Sequence, residues 1–215
     1  MTNRGLRITE INTSRVGCIV LAGGQSLRLG QDKAAKIIGN RTLLERVLHR
    51  LSFLNTEIII VAASKQFCPR LDSYPQLSIV TDIYPDKGVL GGIYTGLKIS
   101  RFFYILVVAC DMPFLNQDLL RYMILVSAGF DLVVPRLGDM IEPLHAIYSK
   151  NCLDPIESLL KRGSLSPRGL FNLVRTRYVE AEEINQFDPE HLSFLNINTE
   201  ADLEKAAKLI QGELQ

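Results

Sequence analysis

The chain has 215 residues, 47% of them hydrophobic, with 24 basic and 23 acidic side chains and a formal net charge of +1. That length fits one substantial core and falls short of two ordinary domains, so the expected organisation is a flexible N-terminal extension over residues 1–15 and a single domain over 16–215. The balanced charge excludes the bulk field that draws a protein to nucleic acid or to a membrane surface, so no such partner is expected and any phosphate binding must rest on local cations.

Residues 1–15 are polar, carry Arg4, Arg7 and Arg15, and lack the apolar run of a secretion signal. The first predicted strand is Val16–Ala22, which ends at the paired glycines Gly23 and Gly24. A loop with Arg28 and Gly30 then leads to Asp32 and Lys33. Paired glycines after a buried strand let the backbone come close to a ligand and aim N–H groups at phosphate oxygens. Arg28 and Lys33 would add positive charge. The spacing fits neither the dinucleotide fingerprint GxGxxG nor the Walker A pattern GxxxxGK[ST], in which the Lys precedes Ser or Thr rather than Ala34. The plainer alternative is a glycine-rich turn with solvated cations.

Next, Thr42–Leu54 predicts a helix with Leu44, Val47, Leu48 and Leu51 on one face and a capping box from Thr42 and Glu45. His49 falls on its polar side. Glu57–Ala62 is a β-branched run, the pattern of a strand covered on both faces. Prolines at 69 and 75 break the region from Ser64 to Leu77 before a short strand, Leu77–Thr81, which ends at Asp82. Gly88, Gly91, Gly92 and Gly96 then crowd the start of a helix, at a cost to its stability unless something needs close approach. They read equally as a tight turn or as a nucleotide wall.

Phe103–Ala109 predicts the most strand-like run, and Asp111 follows it immediately. A carboxylate just beyond the carboxyl end of a parallel strand lies where open α/β sheets bind ligands, and its oxygens suit Mg²⁺ held jointly with phosphates. A helix over Asn116–Ser127 and a strand over Asp131–Pro135 follow. The alternation of strands and helices predicts a mostly parallel α/β sheet. Met140–Ser149 is expected to be an edge or lid strand because Pro143 interrupts it, with His145 packed or hydrogen-bonded within it. A helix over Asn151–Lys161 leads to Lys161, Arg162 and Arg168, an anion-binding edge or a solvated helix junction. Strands over Arg177–Ala181 and Phe194–Asn198 precede a final helix capped by Thr199, with Leu203, Ala206, Ala207 and Ile210 on its buried side. The four cysteines, Cys18, Cys68, Cys110 and Cys152, have no metal-ligand spacing and read as reduced core thiols of a cytoplasmic protein.

Taken together, LAGGQSLRLGQDKA, IVTD with GVLGGIYTGL, VVACDMPF, EPLHAIYS and NINTEADL resemble, in the same order, the motifs of the MobA-like molybdopterin guanylyltransferase family. The resemblance covers nearly all of Val16–Ile210. It implies a Rossmann-like three-layer sandwich of the nucleotide-diphospho-sugar transferase type and transfer of GMP from GTP to the terminal phosphate of molybdopterin. Mg²⁺ would be the cofactor, and proteins of molybdenum insertion and molybdoenzyme maturation the partners. By this carry-over Leu21, Ala22, Gly23 and Gly24 would hold guanine and ribose, and Arg28 and Lys33 the phosphates. Asp82, Gly91 and Gly92 would lie beside the nucleoside, Asp111 would bind the metal, and Asn196 and Asn198 would sit near the transferred phosphoryl group. Leu29 stands where the family has Met, and Glu200 where Pro is common. Ala62-Ala63-Ser64 replaces asparagines that contact the base in some members. Related enzymes transfer cytidylyl groups to the same pterin or to sugar and polyol phosphates, and in those the first strand more often ends in Ala-Ala-Gly. A third alternative is a nucleotide-binding or cofactor-carrying protein without chemistry.

Overall fold

The computed structural model describes residues 16–22, 33–63 and 76–213. The extension 1–15, Gly23, Gly24, Arg28, Gly30, Asp32, Cys68 and the interrupted stretch 64–75 lie outside the described residues, as does the side chain of Lys33.

The chain opens with β1 (Val16–Ala22), every residue of which is buried. A short antiparallel pair, β2 (Ile37–Ile38) and β3 (Arg41–Thr42), leads into α1 (Leu43–Leu51). The expected capping box is formed: Thr42 N–H donates to Glu45 Oε2 at 2.7 Å, and Glu45 N–H to Thr42 Oγ1 at 3.1 Å. Then come β4 (Ile58–Ala62), β5 (Leu77–Thr81), α2 (Gly88–Ile99), β6 (Tyr104–Ala109) and α3 (Gln117–Leu125). The second half contains β7 (Leu132–Leu137), β8 (Met140–Ile141), β9 (His145–Ser149), α4 (Leu153–Lys161), β10 (Thr176–Glu180), α5 (Ala181–Ile184) and α6 (Glu200–Glu213).

The main sheet runs in the order β10-β7-β9-β6-β1-β4-β5, with β8 paired to β7. β1 is parallel to β4 and β6, β4 to β5, and β7 to β10, while β9 runs antiparallel between β6 and β7. Alternation along β1 divides the core. Cys18, Val20 and Ala22 join the apolar layer under α1 and α3, whereas Ile19 and Leu21 join the layer under α2 and α4. The expected three-layer α/β sandwich is therefore present. A smaller cluster packs α6 through Ala206 and Ile210 against Ile38, Phe114 and Ile197. Three cysteines, Cys18, Cys110 and Cys152, are buried, and Cys18 and Cys152 are free thiols.

The glycines of α2 are explained by close packing. A Cβ on Gly96 would lie 2.8 Å from Ile19 Cγ1, and one on Gly91 would lie 2.8 Å from the Tyr84 carbonyl oxygen. Without side chains there, the helix settles onto β1 and onto the turn that precedes it.

Two expectations are corrected. Met140–Ser149 is not one strand: Pro143 lies in the turn between β8, which among the described residues pairs with β7 alone, and β9, which is no edge strand but fully buried between two neighbours. The predicted strand over Phe194–Asn198 is a 3₁₀ turn, Leu192–Phe194, followed by chain that has no ladder partner among the described residues. Its main anchor is Ile197 N–H, which donates to the Asp111 carbonyl at 3.0 Å. The start of α6 is capped as expected, with Asp202 N–H donating to Thr199 Oγ1 at 3.2 Å and Thr199 N–H to Asp202 Oδ2 at 2.8 Å.

Candidate functional site

The strand order reverses at β1, because the chain moves outward from β1 to β4 and β5 and then returns to the other side of β1 as β6. Such a switch point opens a crevice at the carboxyl ends of the strands. Those ends are level: Ala22 pairs with Ala62 and Ala62 with Thr81, while Leu21 pairs with Ala109. Cys110 N–H donates to the Leu21 carbonyl at 3.1 Å, so the exits of β1 and β6 are tied together. The crevice thus lies at the end of β1, beyond Ala22, and where Asp111 follows β6.

On the β5 side, Asp82 is held rigidly. Thr95 Oγ1 donates to its Oδ1 at 2.6 Å, and Tyr84 N–H donates to the same oxygen at 2.9 Å. Asp82 N–H in turn donates to the Ala62 carbonyl at 2.9 Å. The second carboxylate oxygen, Oδ2, is 3.9 Å from where a Gly92 Cβ would stand, and that Cβ would also press on Leu21 Cδ2 at 3.2 Å. Leu21, Asp82 and Gly92 are therefore one wall. Gly91 faces the Tyr84 backbone instead.

On the β6 side, Asp111 is half-buried, and Ile197 N–H binds its carbonyl. That bond places Asn196 and the exposed Asn198 beside Asp111. Asn198 N–H also donates to Asp202 Oδ2 at 3.0 Å, which ties the segment to the first turn of α6. The structure thus brings Asp111, Asn196 and Asn198 together from separate parts of the sequence.

A further residue lies here that the sequence reading passed over. Glu142, in the turn before β9, accepts at Oε1 from Leu144 N–H at 3.0 Å. Burial pushes its carboxyl above the ordinary glutamate range; the Leu144 N–H opposes that shift, the Asp111 charge adds to it, and the nearby Asn196 side chain opposes it again. In the sequence Glu142 opens EPLHAIYS, one of the motifs that carry the family resemblance, but the motif gave the residue no role of its own.

Other candidates fall elsewhere. His145 is fully buried against Phe194, with ring centroids 5.0 Å apart, and neither ring nitrogen has a hydrogen-bond partner. It is packed as expected. Lys161 pairs with Glu157 at 2.9 Å on the outer face of α4, and Arg162 and Arg168 are exposed. Among the described residues, no group of three or more His, Cys, Asp or Glu is placed to hold a metal. The donors in the crevice are hard oxygens of carboxylate and amide groups, a set that fits Mg²⁺ shared with substrate phosphates better than a closed protein cage. No described helix is long and apolar enough to cross a membrane.

Residues 18–180 match the family model for the MobA-like NTP transferase domain. A probable molybdenum cofactor guanylyltransferase from Pelotomaculum thermopropionicum is 38% identical over 194 residues, spanning 90% of this chain and 93% of that protein. A molybdenum cofactor guanylyltransferase from Desulfosudis oleivorans is 35% identical over 197 residues, spanning 90% and 95%. Among solved structures, molybdopterin-guanine dinucleotide biosynthesis protein A from Archaeoglobus fulgidus superposes with a TM-score of 0.78 at 28% identity, covering 92% of this chain and 100% of that one. With the family model matching most of the chain and relatives above 30% identity spanning nine-tenths of it, the chain belongs to the MobA-like NTP transferase family of nucleotidyltransferases.

Proposed function

We propose that this protein is a molybdenum cofactor guanylyltransferase, transferring GMP from GTP to the terminal phosphate of molybdopterin. A phosphate oxygen of the acceptor forms a bond to the α-phosphorus of GTP, the bond from that phosphorus to the α–β bridging oxygen breaks, and pyrophosphate leaves with the bond's electrons. The observation that carries the reading is the meeting of Asp111 with Asn196 and Asn198 at the switch-point crevice, in a chain whose relatives bear this name.

The acceptor is already anionic near neutral pH, because a second phosphate ionisation falls at about 6. No strong general base is required, and positioning with charge neutralisation carries the rate. Leu21 and Ala22 form the floor beneath the nucleoside, and Gly23 and Gly24 are assigned to the same ligand. Asp82, fixed by Thr95, offers its second oxygen to the nucleoside, with Gly92 leaving room alongside and Gly91 keeping the preceding turn close. Arg28 and Lys33 belong to the triphosphate. Asp111 would hold Mg²⁺, which when bound would neutralise phosphate oxygens and so ease in-line displacement. Asn196 and Asn198 orient the transferred group. The protein works in the cytoplasm, as the reduced cysteines suggest.

The test compares GMP transfer by wild type, Lys33→Ala and Asp111→Asn, using GTP, Mg²⁺ and molybdopterin. Each substitution is expected to lower turnover by about 10²-fold or more, the scale set by removal of one preorganised electrostatic partner. Near-normal transfer by either variant, or a preference for CTP over GTP in the wild type, overturns the assignment.

A further inference from the structure

We infer that Asp188 is a positioning residue for the transfer reaction: acting through the turn Leu192–Phe194, it fixes where the chain carrying Asn196 and Asn198 lies against Asp111. This deepens the reading of the crevice given above and rests on the part that reading gives to the two asparagines. Asp188 is buried, and the chain folds around it. Its carbonyl accepts from His191 N–H at 3.0 Å, its Oδ1 from Leu192 N–H at 3.1 Å and its Oδ2 from Ser193 N–H at 2.8 Å. Three successive amides are thereby aimed at one residue. His191 enters that wrap in the left-handed region, at φ 55°, a conformation that costs energy outside glycine and persists where surrounding bonds hold it.

Ser193 passes the constraint on. It is fully buried, and its Oγ accepts from Asn116 N–H at 2.9 Å, while Asn116 Nδ2 donates back to the Phe187 carbonyl, next to Asp188, at 2.7 Å. Further along, Ile197 N–H donates to the Asp111 carbonyl at 3.0 Å. Moving forward from Asp111 to Asn116 thus corresponds to moving backward from Ile197 to Ser193, so the two stretches run antiparallel and are clamped at both ends. Phe194 packs on the His145 ring from the same stretch, with centroids 5.0 Å apart. Asn196 and Asn198 flank the Ile197 clamp, so the path that carries them is set from the Ser193 clamp, and that clamp is set by Asp188. Both Asp188 oxygens accept hydrogen bonds. An amide cannot take over that task, because it has one acceptor oxygen and would turn its NH₂ toward Leu192 N–H or Ser193 N–H.

The experiment is a mutant cycle on kcat for GMP transfer, measured with GTP, Mg²⁺ and molybdopterin and expressed per folded protein from circular dichroism. Asp188→Asn is expected to lower kcat by about tenfold to a hundredfold, the scale of a remote change that displaces a reacting arrangement by up to an ångström. The KM for GTP should change little, because the wall of Leu21, Asp82 and Gly92 stands on the β5 side. Since Asp188 acts through the asparagines, adding Asp188→Asn to Asn196→Ala/Asn198→Ala should slow that protein no further, whereas a merely structural residue would multiply the losses. Ser193→Ala, which removes the acceptor for Asn116 N–H, is expected to show the same kcat loss and the same non-additivity, and serves as the probe if Asp188→Asn fails to fold. Multiplying losses, or wild-type kcat in folded Asp188→Asn, overturn the inference while the guanylyltransferase reading stands. If Asn196→Ala/Asn198→Ala itself turns over normally, the asparagines take no part in transfer, and the inference falls together with the role that reading gives them.

Discussion

Replacing His145 with leucine should remove much of the protein's sensitivity to mild acid. The imidazole is fully buried at the start of β9, packed at a tilt against Phe194, with both ring nitrogens unpartnered. Burial lowers its pKa from 6.5 to about 4, against a small opposing pull from Asp188. The folded state therefore refuses a proton that the unfolded chain accepts. Stability is full above the unfolded value, falls as pH drops from 6.5 toward 4, and levels off below that. At about 1.36 kcal/mol per unit, the loss reaches roughly 3.4 kcal/mol below pH 4 and about 2 kcal/mol at pH 5. Urea unfolding of wild type and His145→Leu, measured from pH 7.5 to 5 in steps, isolates this contribution, because the acidic side chains titrate in both proteins. The difference in unfolding free energy between the two should shift by about 2 kcal/mol in favour of the leucine variant over that interval. A difference that stays constant with pH would show that His145 is hydrated or charged in the folded protein, and the reasoning would fail.

Two further outcomes concern packing and the nucleoside wall. Gly96→Ala should destabilise by about 1–3 kcal/mol in chemical denaturation, since its Cβ must displace Ile19. Adding Ile19→Ala should restore part of that loss, and additive effects of the two changes would contradict the contact. Thr95→Val strips Asp82 of one hydrogen bond and leaves Ile83 N–H without its acceptor, at a cost of about 1–3 kcal/mol in stability. In steady-state assays the KM for GTP should rise with kcat little changed, and an unaltered KM would separate Asp82 from the nucleoside.

The sequence made the first half of the fold legible because its signals there are local. The β-branched run of β4, the apolar stripe of α1 and the Thr42–Glu45 box each report on their own neighbours. Asp111 could be singled out for the same reason, since its place after an apolar strand is written in adjacent residues. What escaped depends on long-range pairing. The direction of β9 is set by its partners β6 and β7, and a proline that looked like the mark of an edge strand turned out to shape the turn entering a central one. The segment 194–198 has the composition of a strand, yet its strongest hydrogen bonds go to Asp111 and Asp202 rather than to a ladder. Glu142 acquires neighbours only when the two halves of the sheet meet.

The reversed course of β9 also bears on how the crevice can change. Its parallel neighbours send their outgoing ends to the rim, whereas this strand reaches the rim at its beginning, through the turn from Gly138 to Leu144. Residues added to or removed from that turn alter the rim without displacing Ala146 to Ser149 from their ladder, because the bonds to β6 and β7 already fix where the strand lies. The fold can therefore vary what approaches from that side while the nucleotide half, built around β1, β4 and β5, stays as it is.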